Sequence, residues 1–180
     1  MSAHPTDQTV AAEHKDVQAP EGFLVVRSSA TETAELRRAV LRPHLRIEEM
    51  ALGGDQNPDT AYLSVRAVGR AGVVLGCVRL EPVPCPWSAE LDVPGRAAWQ
   101  LRAMATDPSA RGTGLGRRLV HTAVDHVTAH EGDLIWCNAR VSAQGFYARL
   151  GFRTVTEPFV VDGVSEEHVG MVRHLSSGSE

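Results

Sequence analysis

The chain has 180 residues, 43% hydrophobic and 22% charged, with a formal net charge of −4. That is long enough for a real core in one domain, and the acidic balance excludes the broad basic footprint of a nucleic-acid-binding protein. No apolar run approaches the ~18 residues of a membrane span, and the N-terminus has no basic region leading into an apolar one, so no secretion signal is expected. Three cysteines, Cys77, Cys85 and Cys137, without a CxxC pair, point to neither a disulfide framework nor a zinc site. The expectation is a cytoplasmic protein with reduced thiols, no bound metal, and neither nucleic acid nor membrane as partner.

Residues 1–20 are polar and aperiodic and read as a flexible N-terminal tail, leaving 21–176 as a single domain. "FLVV" (23–26) suits a first strand. "SATETAELRRAVLRP" reads as a helix: Ser29 and Glu32 have capping-box spacing, Leu36, Ala39 and Val40 share a face, and Pro43 stops it. Ile47, Met50 and Ala51 allow a short second helix before a loop marked by Gly53, Gly54 and Asn57-Pro58-Asp59. "AYLSVRAV", with Leu63, Val65 and Ala67 on one side, turns at "GRAG" (69–72) into "VVLGCVRLEP", the second strand of a hairpin.

Prolines at 82, 84, 86 and 94 exclude a sheet interior for 81–96, and a loop of that length in a compact domain is either functional or disordered. "AAWQLRAMA" (97–105) is the next strand, with Trp99, Leu101, Ala103 and Ala105 expected on one face. From Leu115 the pattern turns helical, with Val120, Ala123, Val124 and Val127 at i, i+3, i+4, i+7 and Gly132 as the stop. "DLIWCN" (133–138) is a strand, "SAQGFYARLG" a helix ended by Gly151, and "FRTVT" and "HVGMVRHL" close the chain as strands. The alternation defines an α/β fold with a mixed sheet.

Between strand 97–105 and the following helix lies "ARGTGLGRR" (110–118), three glycines at alternate positions flanked by arginines. A helix start offers unpaired amides and the positive end of the macrodipole, and therefore attracts phosphate. Glycine lets the backbone approach closely, and Arg111, Arg117 and Arg118 match phosphate oxygens. The inferred ligand is a diphosphate. A Walker A loop is excluded by the missing lysine, and the GxGxG spacing departs from the dinucleotide GxGxxG, with Arg117 where the third glycine belongs.

"RGTGLG" resembles the Q/R-x-x-G-x-G/A signature of the GNAT superfamily of acyl-CoA-dependent N-acyltransferases, with Arg111, Gly114 and Gly116 at its defined positions. "NARVSAQGFYARLGF" (138–152) is similar to that family's second motif. The resemblance covers residues 97 to about 155 and implies a mixed, mostly antiparallel central sheet flanked by helices, in which two parallel strands, here 97–105 and 133–138, splay apart. It implies that acetyl-CoA is the co-substrate. Its pantetheine arm would pair with main chain near Met104 and Ala105, and its diphosphate would be held by the amides of Arg111, Gly112, Thr113, Gly114, Leu115, Gly116 and Arg117. Asn138 would lie beside the pantetheine arm and Tyr147 near the thioester sulfur. Relatives often pair, so a homodimer is allowed for.

Acyl transfer to an amine needs a neutral nucleophile, although a free alkylammonium has a pKa of roughly 10. It also needs a donor to the oxyanion, which a backbone amide near Ala105 could supply. The leaving thiolate benefits from a proton, and the phenol of Tyr147 could give one as general acid. Strand 97–105 carries Gln100 and Arg102 but no carboxylate, so Glu81, at the end of the preceding strand, is the first candidate for general base. Glu48, Glu49, Asp55, Glu90 and His44 lie in segments that could reach the acceptor side. His121, Asp125, His126 and His130 crowd one helix, but without HExxH they read as a solvated face rather than a metal site. The resulting expectation is an N-acetyltransferase acting on a primary amine, a small molecule before a protein or peptide amine. The rival from another class is a non-catalytic acyl-CoA-binding module.

Overall fold

The computed structural model describes residues 22–69, 72–89, 91 and 97–175. The tail expected over 1–20, the tip of the "GRAG" turn and Glu90 lie outside the described residues. In chain order the elements are β1 (Phe23–Ser28), α1 (Ala30–Leu41), β2 (Ala61–Ala67), β3 (Val74–Pro82), β4 (Ala98–Thr106), α2 (Leu115–Ala129), β5 (Leu134–Arg140), α3 (Gln144–Ala148), β6 (Arg153–Thr154), β7 (Phe159–Val160) and β8 (Glu167–His174). The segment around Ile47–Met50 forms a single 3-10 turn rather than an α-helix.

Local chemistry starts α1 as expected. Ser29 Oγ accepts from the Glu32 amide at 3.1 Å, and Glu32 returns the bond by accepting from the Ser29 amide at 2.8 Å. Each bond satisfies an amide that the helix start leaves without an intrahelical partner. The eight strands make one sheet in the order β1-β2-β3-β4-β5-β8-β6, with β7 also pairing β8. All neighbours run antiparallel except β4 and β5.

Strand alternation gives the sheet two chemically different faces. One face presents Leu63, Val65, Val78, Leu80, Trp99, Leu101, Ile135, Cys137, Val169 and Met171 to α2 and α3, whose Leu119, Val120, Ala123, Val127 and Tyr147 complete the main core. The opposite face lies under α1. There Leu36 packs on Cys77 and Ala105, next to a buried polar layer containing Arg37, Ser64, Arg79, Glu81 and Gln100. A satellite cluster on Trp136 is closed by Trp87 of the proline-rich loop, ring centroids 5.6 Å apart and edge to face. Trp87 is thus a loop anchor.

The expectation that Trp99, Leu101, Ala103 and Ala105 share a face fails halfway along β4. The register with β3 shifts between Cys77 and Arg79, and Ala103 takes a left-handed φ of 51°. This β-bulge inserts an extra residue and inverts the alternation. Trp99 and Leu101 face α2, as does Met104, while Ala105 faces α1.

The end of α2 also differs from its expected form. Glu131, at φ 59°, is the left-handed residue, and Gly132 donates its amide to the Val127 carbonyl at 2.8 Å. Glycine is required at 132 for space instead. A Cβ there would meet Val127 and would lie 2.8 Å from Trp99 Cδ1. Gly132→Ala should therefore cost about 1–3 kcal/mol of stability through overpacking, read as a shift of the denaturation midpoint. An unchanged midpoint would mean that α2 and β4 are not packed this closely.

Candidate active site

β4 and β5 pair over three positions only, Ala98↔Leu134, Trp99↔Ile135 and Gln100↔Trp136. Beyond these they diverge, leaving the edge of β4 that faces β5 without strand partners from Leu101 onward. A cavity of about 820 Å³ occupies the fork. Its walls include Leu101 to Thr106 of β4, Asn138 to Arg140 of β5, the glycine bend, and Phe146 and Tyr147 of α3.

The three glycines of the bend have two different jobs. Gly112 (φ 79°) and Gly114 (φ 84°) are left-handed, and a Cβ on either would meet nothing within 4 Å. Both therefore shape the backbone while facing open space, which suits close approach of a ligand to main-chain amides. Gly114 is the N-cap of α2, 15 residues long, so the positive end of the helix dipole points at this space. Gly116 is a packing position, since a Cβ there would sit 3.3 Å from Phe146 and 3.4 Å from Met104 Cε. Thr113 donates its hydroxyl to the Ala110 carbonyl at 2.6 Å and steadies the bend. Arg111, Gly112, Gly114, Leu115, Gly116 and Arg117 all line the cavity; Thr113 lines a smaller adjoining pocket with Arg117, Arg118 and His121.

Tyr147 is buried on the α2 side of the fork, and its hydroxyl donates to Met104 Sδ at 3.3 Å. Burial, together with the neighbouring Cys137, holds its phenol well above the ordinary tyrosine range, so the proton stays on oxygen. Met104 reaches it because the bulge at Ala103 turned that side chain toward α3. Asn138 is exposed on the opposite wall of the cavity.

Glu81 is placed differently from a free base. Its Oε1 accepts from Arg79 in a short bond and from Arg102 at 3.2 Å, and it is not among the residues that line the cavity. Asp55, also considered from the sequence, accepts from Tyr62 Oη at 2.7 Å and from Arg79 Nε at 3.1 Å. Glu49 pairs with Arg46 at the surface. His126 and His130 stack with centroids 4.2 Å apart and edge onto Trp99. Burial first, then His130, lowers the pKa of His126. Among the described residues no group of three or more His, Cys, Asp or Glu is arranged to hold a metal ion.

Several cavity residues escaped the reading of the sequence, Arg37 and His168 among them. Arg37 of α1 is fully buried yet lines the cavity. His168 of β8 also lines it, and its Nδ1 lies 2.8 Å from the Glu166 carbonyl. A carbonyl only accepts, so this bond assigns the proton to Nδ1, and in the neutral ring Nε2 carries the lone pair. Neither residue has a motif around it. A pairing of His168 with Arg140 across β5 and β8 is visible only once the register is known.

A sheet forked at a parallel pair, with a glycine bend at the mouth of the fork, is an architecture suited to an acyl-CoA-dependent acyltransferase. Comparisons with known proteins agree. Residues 93–175 match the family model described as an acetyltransferase (GNAT) domain. The chain is 32% identical over 148 residues to the uncharacterized N-acetyltransferase YitI of Bacillus subtilis strain 168, a match spanning 82% of this chain and 93% of that one. Among solved structures it resembles an acyl-CoA N-acyltransferase from Pseudomonas aeruginosa (24% identity, TM-score 0.63, 84% of this chain and 99% of that one). It also resembles a chain of the NatC complex bound to Gag peptide and CoA (18% identity, TM-score 0.66, 86% and 99%). The chain belongs to the GNAT family of acetyltransferases, and is an enzyme of the acyl-CoA N-acetyltransferase class. No helix among the described residues is long and apolar enough to cross a membrane.

Burial pushes the thiols of Cys77 and Cys137 up to about 12, and that of Cys85 upward as well. At pH 8 a thiol with a pKa near 12 is ionised in on the order of one molecule in ten thousand. Ellman's reagent should therefore find no fast thiol on the native protein and three after unfolding in guanidinium. A fast native reaction would show that the cores around β3 and β5 are open.

Proposed function

We propose that this acetyltransferase moves the acetyl group of acetyl-CoA to the primary amine of a small molecule, by direct attack in a ternary complex. The observation that carries this reading is the fork. An unpaired β4 edge from Leu101 onward can bond the amides of a pantetheine arm as an added strand would. The left-handed Gly112 and Gly114 lie open toward a diphosphate at the α2 N-terminus. Arg111 and Arg117 flank that position.

In the reaction the amine nitrogen attacks the thioester carbonyl carbon, the C–N bond forms and the C–S bond breaks. A backbone amide at the bulge of β4 is the donor for the transient oxyanion. Tyr147 supplies the proton to the departing sulfur. Its raised pKa suits that role, because the phenol remains protonated at pH values where amines begin to lose their protons. The attacking nitrogen must give up a proton, and His168 is the cavity residue with a ring nitrogen free to accept it. Glu81, bound to two guanidinium groups, acts at one remove as a positioning residue for Arg102. The binding of Arg42 Nη1 to the Gly163 carbonyl ties the end of α1 to segment 161–164. Arg42, Val161 and Val164 line the cavity, and a wall bridged in this way favours a small acceptor over a polypeptide.

Thiol release from acetyl-CoA in the presence of an amine panel tests the activity. Tyr147→Phe should lower kcat on the order of 10²-fold while leaving the melting temperature within a few degrees. A full-rate Tyr147→Phe enzyme would dismiss the phenol as acid, and His168→Gln with undiminished kcat would dismiss that imidazole as base. CoA binding without acylation of any amine would favour a non-catalytic binding module. Arg111→Glu should weaken CoA binding at least tenfold and leave the fold intact, by calorimetry and thermal melting. Equal loss of both would tell against a phosphate role.

A further inference from the structure

The cavity is strongly one-sided in charge. Among the described residues its walls carry seven arginines, Arg37, Arg42, Arg102, Arg111, Arg117, Arg140 and Arg149, and no Asp or Glu. The diphosphate of CoA accounts for Arg111 and Arg117 at the glycine bend. It does not account for those on the other face of the sheet. Leu101, Cys137 and Ala139 point into the core beneath α2, so their chain neighbours Arg102, Asn138 and Arg140 point to the α1 side. The contact of Arg140 Nη2 with the Leu41 carbonyl at the end of α1, 3.4 Å, agrees.

On that side the positive charge is only partly compensated. Arg37 is 1% exposed and donates to Thr33 Oγ1 (3.2 Å), Met50 O (2.9 Å) and Ala30 O (2.9 Å), all neutral acceptors. Among the described residues no carboxylate lies within ion-pair distance of it. Arg79 and Arg102 share Glu81, and Arg79 also holds Asp55. Burial and the bond to Asp55 raise the pKa of Tyr62, which packs on Arg37 and Arg79, so it adds no negative charge. Three guanidiniums thus face two carboxylates, leaving an excess of one positive charge next to the cavity. Among the described residues the Arg42 side chain donates only to a carbonyl, and Arg140 has the half-exposed Glu166. A buried cation without a counterion is costly, and an anion brought to it is correspondingly favoured.

We infer that the acceptor amine also carries an oxyanion, carboxylate or phosphate, which docks on Arg102 and Arg140 with Arg37 adding its field from behind. This rests on the acetyltransferase reading of the same cavity. Arg102 is available for the task, since its side chain is 42% exposed and its bond to Glu81 uses one nitrogen, leaving other N–H groups to pair with a planar oxyanion. The same charge excess repels polycationic acceptors.

The test is calorimetry on the full chain saturated with CoA, so that the phosphate-binding bend is already filled. Amines are compared in pairs that differ by the acid group, phenylalanine against phenethylamine and phosphoethanolamine against ethanolamine, with spermidine as the cationic control. The acidic member of at least one pair should bind at least tenfold tighter than its partner, and spermidine should not compete. The pair that discriminates identifies the anion. Arg102→Gln, and separately Arg140→Gln, should reduce that preference at least fivefold while the Kd for CoA stays the same. Equal or tighter binding of the amines without the acid group would overturn the inference, as would a preference that survives both substitutions. Acidic amines that bind selectively yet release no thiol from acetyl-CoA would instead sink the transferase reading and leave the anion site standing.

Discussion

An interior strand of a sheet ordinarily exchanges hydrogen bonds along both edges, because an unpaired buried amide or carbonyl costs as much as a lost bond. β4 does so toward β3 from Trp99 to Thr106, interrupted by the bulge, but toward β5 at only three positions. The bulge at Ala103, just beyond these three pairs, contributes to the difference. It increases local twist, bends β4 away from its parallel neighbour and holds a non-glycine residue at φ 51°. A left-handed residue of that kind costs roughly 1–2 kcal/mol. The packing of Leu101 beneath α2 and of Ala105 beneath α1 offsets this on either side of it. Strained backbone held in place by well-packed flanks is common at functional sites. Every other part of the site hangs from the bend: Met104 against Tyr147, the open β4 edge, and the direction in which the chain enters the glycine loop.

Features set by neighbours in sequence were legible before the fold was known. The capping box of α1 needs only Ser29 and Glu32, and the apolar stripe of α2 needs only its helical period. The glycine bend declared itself because three glycines between arginines at a strand–helix junction leave few alternatives. Features set by distant partners were not legible. Nothing marks Ala103 as a bulge, so the alternation reads straight through it. Gly116 looks like its neighbours in the bend until Phe146, 30 positions later, is seen against it. Arg79, Asp55 and Glu81 each look like surface charge, whereas their meeting across 24 residues buries them together. For the same reason Glu81 is a reasonable base from its position at a strand end, and only the presence of Arg79 and Arg102 shows that its oxygen is engaged. β7, two residues long, is too short to have any pattern.

The sheet works as a partition between two kinds of environment. The α2 face is an apolar cluster that brings the phenol of Tyr147 to the fork. The α1 face carries an ionic layer in which Arg79 is fully buried between two carboxylates. Buried ion networks of this kind are weak contributors to stability, since desolvation takes back much of the Coulomb attraction. What such a network supplies is position. Glu81, locked by Arg79, presents one oxygen to Arg102 and so fixes a guanidinium at the cavity wall with little freedom left to lose on binding.

The same division runs through the proposed reaction. In the proposed reaction the glycine bend, the fork and the phenol deal with the acyl donor, and all three come from the segment between β4 and α3. The walls that an acceptor would touch come from elsewhere: the end of α1, the 3-10 turn at Ile47–Met50 with Leu52 after it, segment 161–164, and His168 at the start of β8. These pieces are irregular, far apart in sequence and joined by contacts such as that of Arg42 with the Gly163 carbonyl. Acceptor choice is therefore a tertiary property. It depends on how much positive charge the fold gathers on the α1 side of β4 and how much of it the fold's own carboxylates neutralise. In this chain the guanidinium of Arg37 remains without an acidic partner among the described residues, and the balance on that side is positive.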